Sequence, residues 1–230
     1  HLSWITSVKK NGEELLSKLL DEGFSTKVME NIKDDGFSLE CLSAIEGIPS
    51  SYLQYYYGRQ KKLDGLLKAK QSRAQECIDI EEQLLEMYSD ENLTVKPDLL
   101  DKRGGHKYSL AAVSLIDAIA NDTKAVNVVN IKNAVTLPFM EEDDVVEVAA
   151  YIGKDGAVPV KIDSRVNRHI VGLMRVVKEY EKFTVEAGLN GSDKAAMNAL
   201  LIHPLVGDWD KASACYKEMK EAHKEFLPQF

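Results

Sequence analysis

Tyr52, Tyr55, Tyr56 and Tyr57 place four of the chain's nine tyrosines in six positions. Such a run is either a packed aromatic patch at the start of a helix or a sugar-facing cluster in which one phenol serves as acid or base. A phenol titrates near about 10, so the base role needs a nearby cation or metal to lower it. A second feature is cationic. Arg59, Lys61, Lys62, Lys68, Lys70 and Arg73 follow within fifteen positions. Most of these read as a solvated helix face. Arg73 stands apart between Ser72 and Ala74-Gln75, and a guanidinium suits bidentate phosphate binding. A third feature is Lys102-Arg103-Gly104-Gly105-His106-Lys107-Tyr108-Ser109. It is either a simple loop and helix cap, or an anion loop whose glycines let backbone approach a ligand. His1 has no partner at metal-ligand spacing, and a lone terminal His is more often a tag remnant than a ligand. His106, His169, His203 and His223 are scattered. His169 and His223 fall on predicted helices, where packing or surface exposure is the ordinary role. The run Glu141-Glu142-Asp143-Asp144 reads as a solvated turn without calcium-loop spacing.

The elements that must carry these residues follow from periodicity and turn residues. Leu2–Val8 alternates as a strand, Lys9-Lys10-Asn11-Gly12 is an Asn-Gly turn, and Glu13–Glu22 reads as a helix ended by Gly23. Short helices are expected over Thr26–Asp34 and Leu39–Ala44, with a break at Pro49. Arg59–Tyr88 reads as one long helix or two abutting ones, interrupted only by Gly65. Ser89–Lys107 reads as a loop. Ser109–Asn121 reads as a buried helix that Ser109 can cap. Ala125–Ile131, Val145–Ile152 and Val158–Ile162 are strand-like, the last two joined by a hairpin at Gly153–Gly156. Three helices close the chain, near 167–187, 192–203 and 208–226. The fold class expected is α+β, helix-rich, with a small and mostly antiparallel sheet.

Composition narrows the partners. The formal net charge is −8 and the sequence pI about 5.2. That balance disfavours nucleic acid and anionic membrane, which need a basic footprint. The most apolar run, Leu110–Ala120, is too short to span a bilayer. Cys41, Cys77 and Cys215 are odd in number and lack CxxC spacing, so a reducing cytoplasm is the expected compartment. No strand leads through a Gly-rich turn into a helix, so the dinucleotide fingerprint and the P-loop are both missing. The chain begins at His1 and runs straight into a strand pattern, which reads as a cut inside a larger protein; a trimmed tag is the alternative.

Taken in order, these stretches resemble family 4 glycoside hydrolases, the NAD- and divalent-metal-dependent phosphoglycosidases. His1-Leu2-Ser3-Trp4 is similar to the end of the family's Gly-Leu-Asn-His motif. Ile48-Pro49-Ser50-Ser51-Tyr52-Leu53-Gln54-Tyr55-Tyr56-Tyr57, Ser72-Arg73-Ala74-Gln75-Glu76 and the Arg103-Gly104-Gly105 loop follow. Val126-Asn127-Val128-Val129-Asn130, Thr184-Val185-Glu186-Ala187 and Ala199-Leu200-Leu201-Ile202-His203-Pro204 continue the series. The resemblance covers the family's C-terminal half, and the Arg-Gly-Gly loop followed by Tyr108-Ser109 looks most like the 6-phospho-β-glucosidase branch. His106 departs from the small or apolar residue expected there.

The resemblance implies that residues 1–230 are a C-terminal catalytic and substrate-binding domain, like the second domain of lactate and malate dehydrogenases, with an NAD-binding Rossmann domain absent from the chain. It implies Tyr52 as catalytic base, Arg73 and Arg103 as substrate-binding residues, and His1 as one ligand of a manganese ion whose cysteine partner lies outside this chain. NAD and Mn2+ are the implied cofactors, bound tightly by the full enzyme and not by this fragment. The implied substrate is a phosphorylated disaccharide or β-glucoside, and the implied assembly a homo-oligomer, dimer or tetramer. Three competing expectations stand beside it: the substrate domain of a 2-hydroxy acid dehydrogenase, the 6-phospho-α-glucosidase or α-galactosidase branches of the same family, and a non-enzymatic helical interaction module with a tyrosine patch.

Overall fold

The computed structural model describes residues 2–22, 36–104, 107–162 and 165–230. The expected helix over Thr26–Asp34 lies outside the described residues.

The chain opens with three two-residue strands: β1 (Trp4–Ile5), β2 (Lys9–Lys10) and β3 (Glu13–Glu14). The strand expected across Leu2–Val8 narrows to β1. β2 and β3 pair antiparallel, and Asn11 and Gly12 between them take positive φ, 53° and 86°. An Asn-Gly pair favours that turn because its twist matches the flanking strands. The hairpin corrects the helix expected from Glu13, since helix α1 is Leu16–Glu22. Glu14 causes the difference. Its carboxylate accepts from the Val8 N–H at 2.8 Å and the Leu16 N–H at 3.0 Å, so it stands ahead of the helix and meets an orphan donor.

Helix α2 (Leu39–Ile45) buries Leu42 and Ile45. The expected break at Pro49 is an edge strand, β4 (Ile48–Pro49), paired antiparallel with β1. An edge strand tolerates a residue with no N–H. A 3-10 turn over Ser51–Leu53 runs into α3 (Gln54–Tyr57). Arg59–Tyr88 then resolves into two helices, α4 (Arg59–Lys68) and α5 (Arg73–Tyr88). Gly65 does not break α4. The break comes at Ala69, which is extended, and Ser72 restarts the helix by accepting from the Gln75 N–H at 3.2 Å.

The stretch expected as a loop, Ser89–Lys107, contains α6 (Leu99–Arg103). Five residues are too few to show a helical period. Helix α7 (Tyr108–Ala120) starts ahead of Ser109, which lies inside it and does not cap it. Nor is α7 buried: Leu110, Val113 and Ile116 are 68%, 63% and 65% exposed, and Ala118 alone in it is fully buried. One of its faces packs on an antiparallel sheet of β5 (Ala125–Lys132), β6 (Val145–Gly153) and β7 (Gly156–Pro159), in that order. Ala118, Ala150 and Ile152 form the cluster, ringed by Leu115, Ala125 and Val129. The Gly153–Gly156 hairpin forms as expected, but β7 ends at Pro159, short of the expected Ile162. Fully buried Asn133 ties the β5–β6 connection, donating to the carbonyls of Leu137, Met140 and Glu141.

Helices α8 (Arg168–Asn190), α9 (Asp193–Ile202) and α10 (Trp209–Ala222) close the chain, each capped by the side chain before it: Asn167, Ser192 and Asp208. α8 passes through Gly188 and stops at Gly191, whose left-handed φ of 62° suits a residue without Cβ. A 3-10 turn at Lys224–Phe226 follows α10.

The fold is α+β, and every strand pair among the described residues is antiparallel. The residues group into two compact units. Unit 1 comprises His1–Ser17, Glu40–Tyr57 and Ser164–Phe230, and unit 2 comprises Lys18–Leu39 and Gly58–Asp163. No helix among the described residues is long and apolar enough to cross a membrane.

Candidate active site

Tyr52 sits in the middle of the 3-10 turn that follows β4, in unit 1. The turn is built from the β1–β4 ladder. Trp4 lies opposite Pro49, and the Ser50 N–H donates to the Ser3 carbonyl at 2.9 Å. The Leu53 N–H then donates back to Ser50 at 2.9 Å and starts the helical stretch. Leu53 and Gln54 are buried at 2% and 4% exposure, while Tyr52 is half-buried. A half-buried phenol beside anchored backbone is reachable and held, as a proton-transfer group must be.

The tyrosine run divides by environment. Tyr55 is exposed. Tyr56 and Tyr57 meet edge to face with ring centroids 5.0 Å apart, and both rings approach His169. The Tyr57 hydroxyl accepts from the Trp4 indole N–H at 3.3 Å and lies 3.1 Å from His169 Nε2. Burial raises the Tyr57 pKa above the ordinary phenol value, against a smaller lowering by the Trp4 hydrogen bond. Tyr57 therefore stays protonated at neutral pH and is poorly suited to be a base. The sequence reading missed His169 and Trp4. They lie 112 and 53 residues from Tyr57, so no local spacing marks them.

Arg73 and Arg103 come together in unit 2. Arg73 is the first residue of α5, and its Nη2 donates to the carbonyl of Lys102, the neighbour of Arg103, at 2.6 Å. Each guanidinium also meets a carboxylate: Arg73 Nη1 lies 3.1 Å from Glu76, and Arg103 Nη2 lies 3.3 Å from Glu81. Both side chains are 42% exposed, so each presents further N–H groups to solvent. The two guanidiniums meet at the α5–α6 contact, each already paired with a carboxylate, and their remaining N–H groups are of the kind that binds an anion such as a phosphate. Gly104 at the end of α6 has φ of 88°, a conformation open mainly to glycine. The rest of that loop, Gly105 and His106, lies outside the described residues, as does His1.

Among the described residues no group of three or more His, Cys, Asp or Glu is placed to hold a metal ion. Cys41, Cys77 and Cys215 are not joined in disulfides.

Residues 1–206 match the model of the family 4 glycosyl hydrolase C-terminal domain. The chain is 33% identical to the 6-phospho-beta-glucosidase of Escherichia coli (strain K12), covering 100% of this chain and 53% of that protein. It is 30% identical to the phospho-alpha-glucosidase PagL of Clostridium acetobutylicum, covering 98% of this chain and 54% of that protein. Its fold is similar, with a TM-score of 0.84 and 29% identity, to the 6-phospho-beta glucosidase of Thermotoga maritima solved with manganese, NAD+ and glucose-6-phosphate. That match covers 99% of this chain and 53% of the other. The chain thus spans about half the length of the curated relatives it matches. With its fold, its ordered motifs and the match over residues 1–206 in agreement, this chain belongs to glycosyl hydrolase family 4 and carries that family's C-terminal domain.

Proposed function

We propose that this chain is the substrate-handling half of a cytoplasmic 6-phospho-β-glucosidase, acting together with an NAD-binding half outside it. The observation that carries the reading is the β1–β4 ladder. It holds Ser3, two residues after the proposed metal ligand His1, against Ser50, two residues before Tyr52. Ser3 and the turn that carries Tyr52 thereby share one small piece of backbone. The relative named a 6-phospho-beta-glucosidase and the Thermotoga structure with glucose-6-phosphate support a phosphosugar as substrate.

In this reading Arg73 and Arg103 grip the 6-phosphate, where bidentate guanidinium contacts fix its orientation. When bound, NAD accepts hydride from C3 of the sugar, and manganese supplies positive charge that acidifies the C2 proton. Tyr52 takes that proton, and the C2–H electron pair forms the C1=C2 double bond as the C1–O bond breaks. The aglycone leaves as its alcohol with a proton from a general acid outside this chain. Water then adds across C1=C2, and hydride returns to C3. This chain supplies His1 alone toward the metal and no dinucleotide fingerprint, so the isolated chain is expected to be inactive. The full enzyme is expected to be a homo-oligomer, dimer or tetramer.

In the full-length enzyme, Tyr52→Phe is expected to abolish turnover of a chromogenic 6-phospho-β-glucoside and exchange of its C2 proton with solvent, while NAD still binds. Near-normal turnover in that variant reassigns the base. The 30% identity to PagL supports a second reading, the α branch of the family. Turnover of the α-linked substrate alone would select it.

A further inference from the structure

We propose that Tyr57 and His169 are positioning residues for Tyr52, clamped to the strand behind His1 through Trp4. The proposal rests on the reading of Tyr52 as the base. Its physical content is the way residues 51–57 are held. The 3-10 turn and α3 are continuous, with Gln54 at φ −60° and ψ −30° between them. Consecutive residues of the N-terminal segment tie both ends of this stretch. At the front, the Ser3 carbonyl accepts from the Ser50 N–H at 2.9 Å. At the back, the Trp4 indole N–H donates to the Tyr57 hydroxyl at 3.3 Å. Tyr52 lies between the two ties, and a rotation of the turn about one tie breaks the other.

His169 closes the far side of the Tyr57 hydroxyl at 3.1 Å. Its own place is fixed. Asn167 Oδ1 accepts from the His169 N–H at 2.8 Å, and Asn167 Nδ2 donates to Glu46 at 2.9 Å. The next residue, Ile170, is 1% exposed. The clamp therefore ends on an exposed but capped helix start, whose third residue is buried. A three-residue 3-10 turn has poor hydrogen-bond geometry and needs such external support to hold one register. The support matters because proton transfer needs heavy atoms about 2.6–3.2 Å apart. A misplacement of about 1 Å costs about 10²-fold in rate. Burial keeps Tyr57 protonated, so it serves as a fixed strut.

The test uses the full-length enzyme that carries this chain, with NAD and manganese. Tyr57→Phe and His169→Leu are expected to lower kcat by about 10- to 100-fold while KM stays nearly constant. Solvent exchange of the C2 proton falls in step. His169→Gln, whose amide can still engage the hydroxyl, is expected to recover most of the lost kcat. A readout independent of activity uses the 230-residue chain. Of its two tryptophans, Trp209→Phe leaves Trp4 as the reporter, and Tyr57→Phe is expected to shift its emission. Unchanged kcat in both variants, unchanged Trp4 emission, or no recovery with His169→Gln overturns the proposal. The reading beneath it fails differently: an active Tyr52→Phe enzyme removes the base assignment. Tyr52→Phe inactive beside fully active Tyr57→Phe and His169→Leu removes only the clamp.

Discussion

Helices α8 and α7 show two ways in which this chain uses apolar residues. Along its 23 residues α8 mixes them with Arg175, Lys178, Glu179, Glu181, Lys182 and Glu186. One stripe, with Ile170, Leu173 and Ala187, goes inward. α7 has Asp117 as its one charged residue among thirteen, and apolar side chains lie on all its sides. It buries Ala118 against the sheet and leaves Leu110, Val113 and Ile116 in solvent. Apolar content favours a helix in both places. The charge pattern tells α8 which face to cover, and α7 carries no such instruction. Position in unit 1 comes from several polar contacts around the start of α8, whereas α7 relies on one small apolar cluster and the bond from the Ser114 hydroxyl to Asn127 Oδ1 at 3.0 Å.

Three measurements on the 230-residue chain can break or sharpen that contrast. The largest effect is expected at Ile170, where Ile170→Ala removes a fully buried side chain and should cost about 2–5 kcal/mol in urea unfolding. A loss well under about 1 kcal/mol means the site collapses without strain and the α8 start is no anchor. A smaller effect belongs to Glu14. Hydrogen bonds, first from the Ser7 hydroxyl and then from the Val8 and Leu16 N–H groups, lower its pKa from 4.5 to about 2. A depressed carboxylate pKa stabilises the fold only while ionised. The contribution is full above 4.5 and is lost as pH falls through about 2. Amide exchange at Val8 and Leu16 should speed up across that window, and Glu14→Gln should flatten the dependence. Equal pH profiles in parent and variant remove the role. The smallest effect is expected at Ile116→Ser, within about 0.5 kcal/mol of the parent. A loss like that of Ile170→Ala means the outer face of α7 is covered.

What the sequence made legible divides along the same line. Asn11-Gly12 and Gly153–Gly156 announced their hairpins because positive φ needs those residue types. Tyr52, Arg73 and Arg103 stand out as candidates because the residue types suit the chemistry and the motif order matches a family. Glu14 was taken for helix, since nothing local says that its carboxylate turns back to Val8. α6 was too short for periodicity. The partnership of Tyr57 with His169 was invisible because it joins α3 to α8 across 112 residues. The exposure of α7 was misread because apolar residues on every side of a helix imply cover, and a sequence does not state how much cover its own chain provides.

The β1–β4 ladder has a consequence for how such a chain can change over generations. It closes a span of 42 residues, Thr6 to Gly47. The entropy of closing a span grows only with the logarithm of its length, about 0.6 kcal/mol for each doubling. Length changes between Thr6 and Gly47 that spare the β2–β3 hairpin, α1 and α2 therefore alter the closure entropy of the ladder little, and Ser3 still meets Ser50. The neighbourhood of Tyr52 is an address written in backbone pairing. A lineage can lengthen or trim the intervening stretch and leave that address intact, whereas a single deletion between Ser50 and Tyr57 would put the clamp out of register.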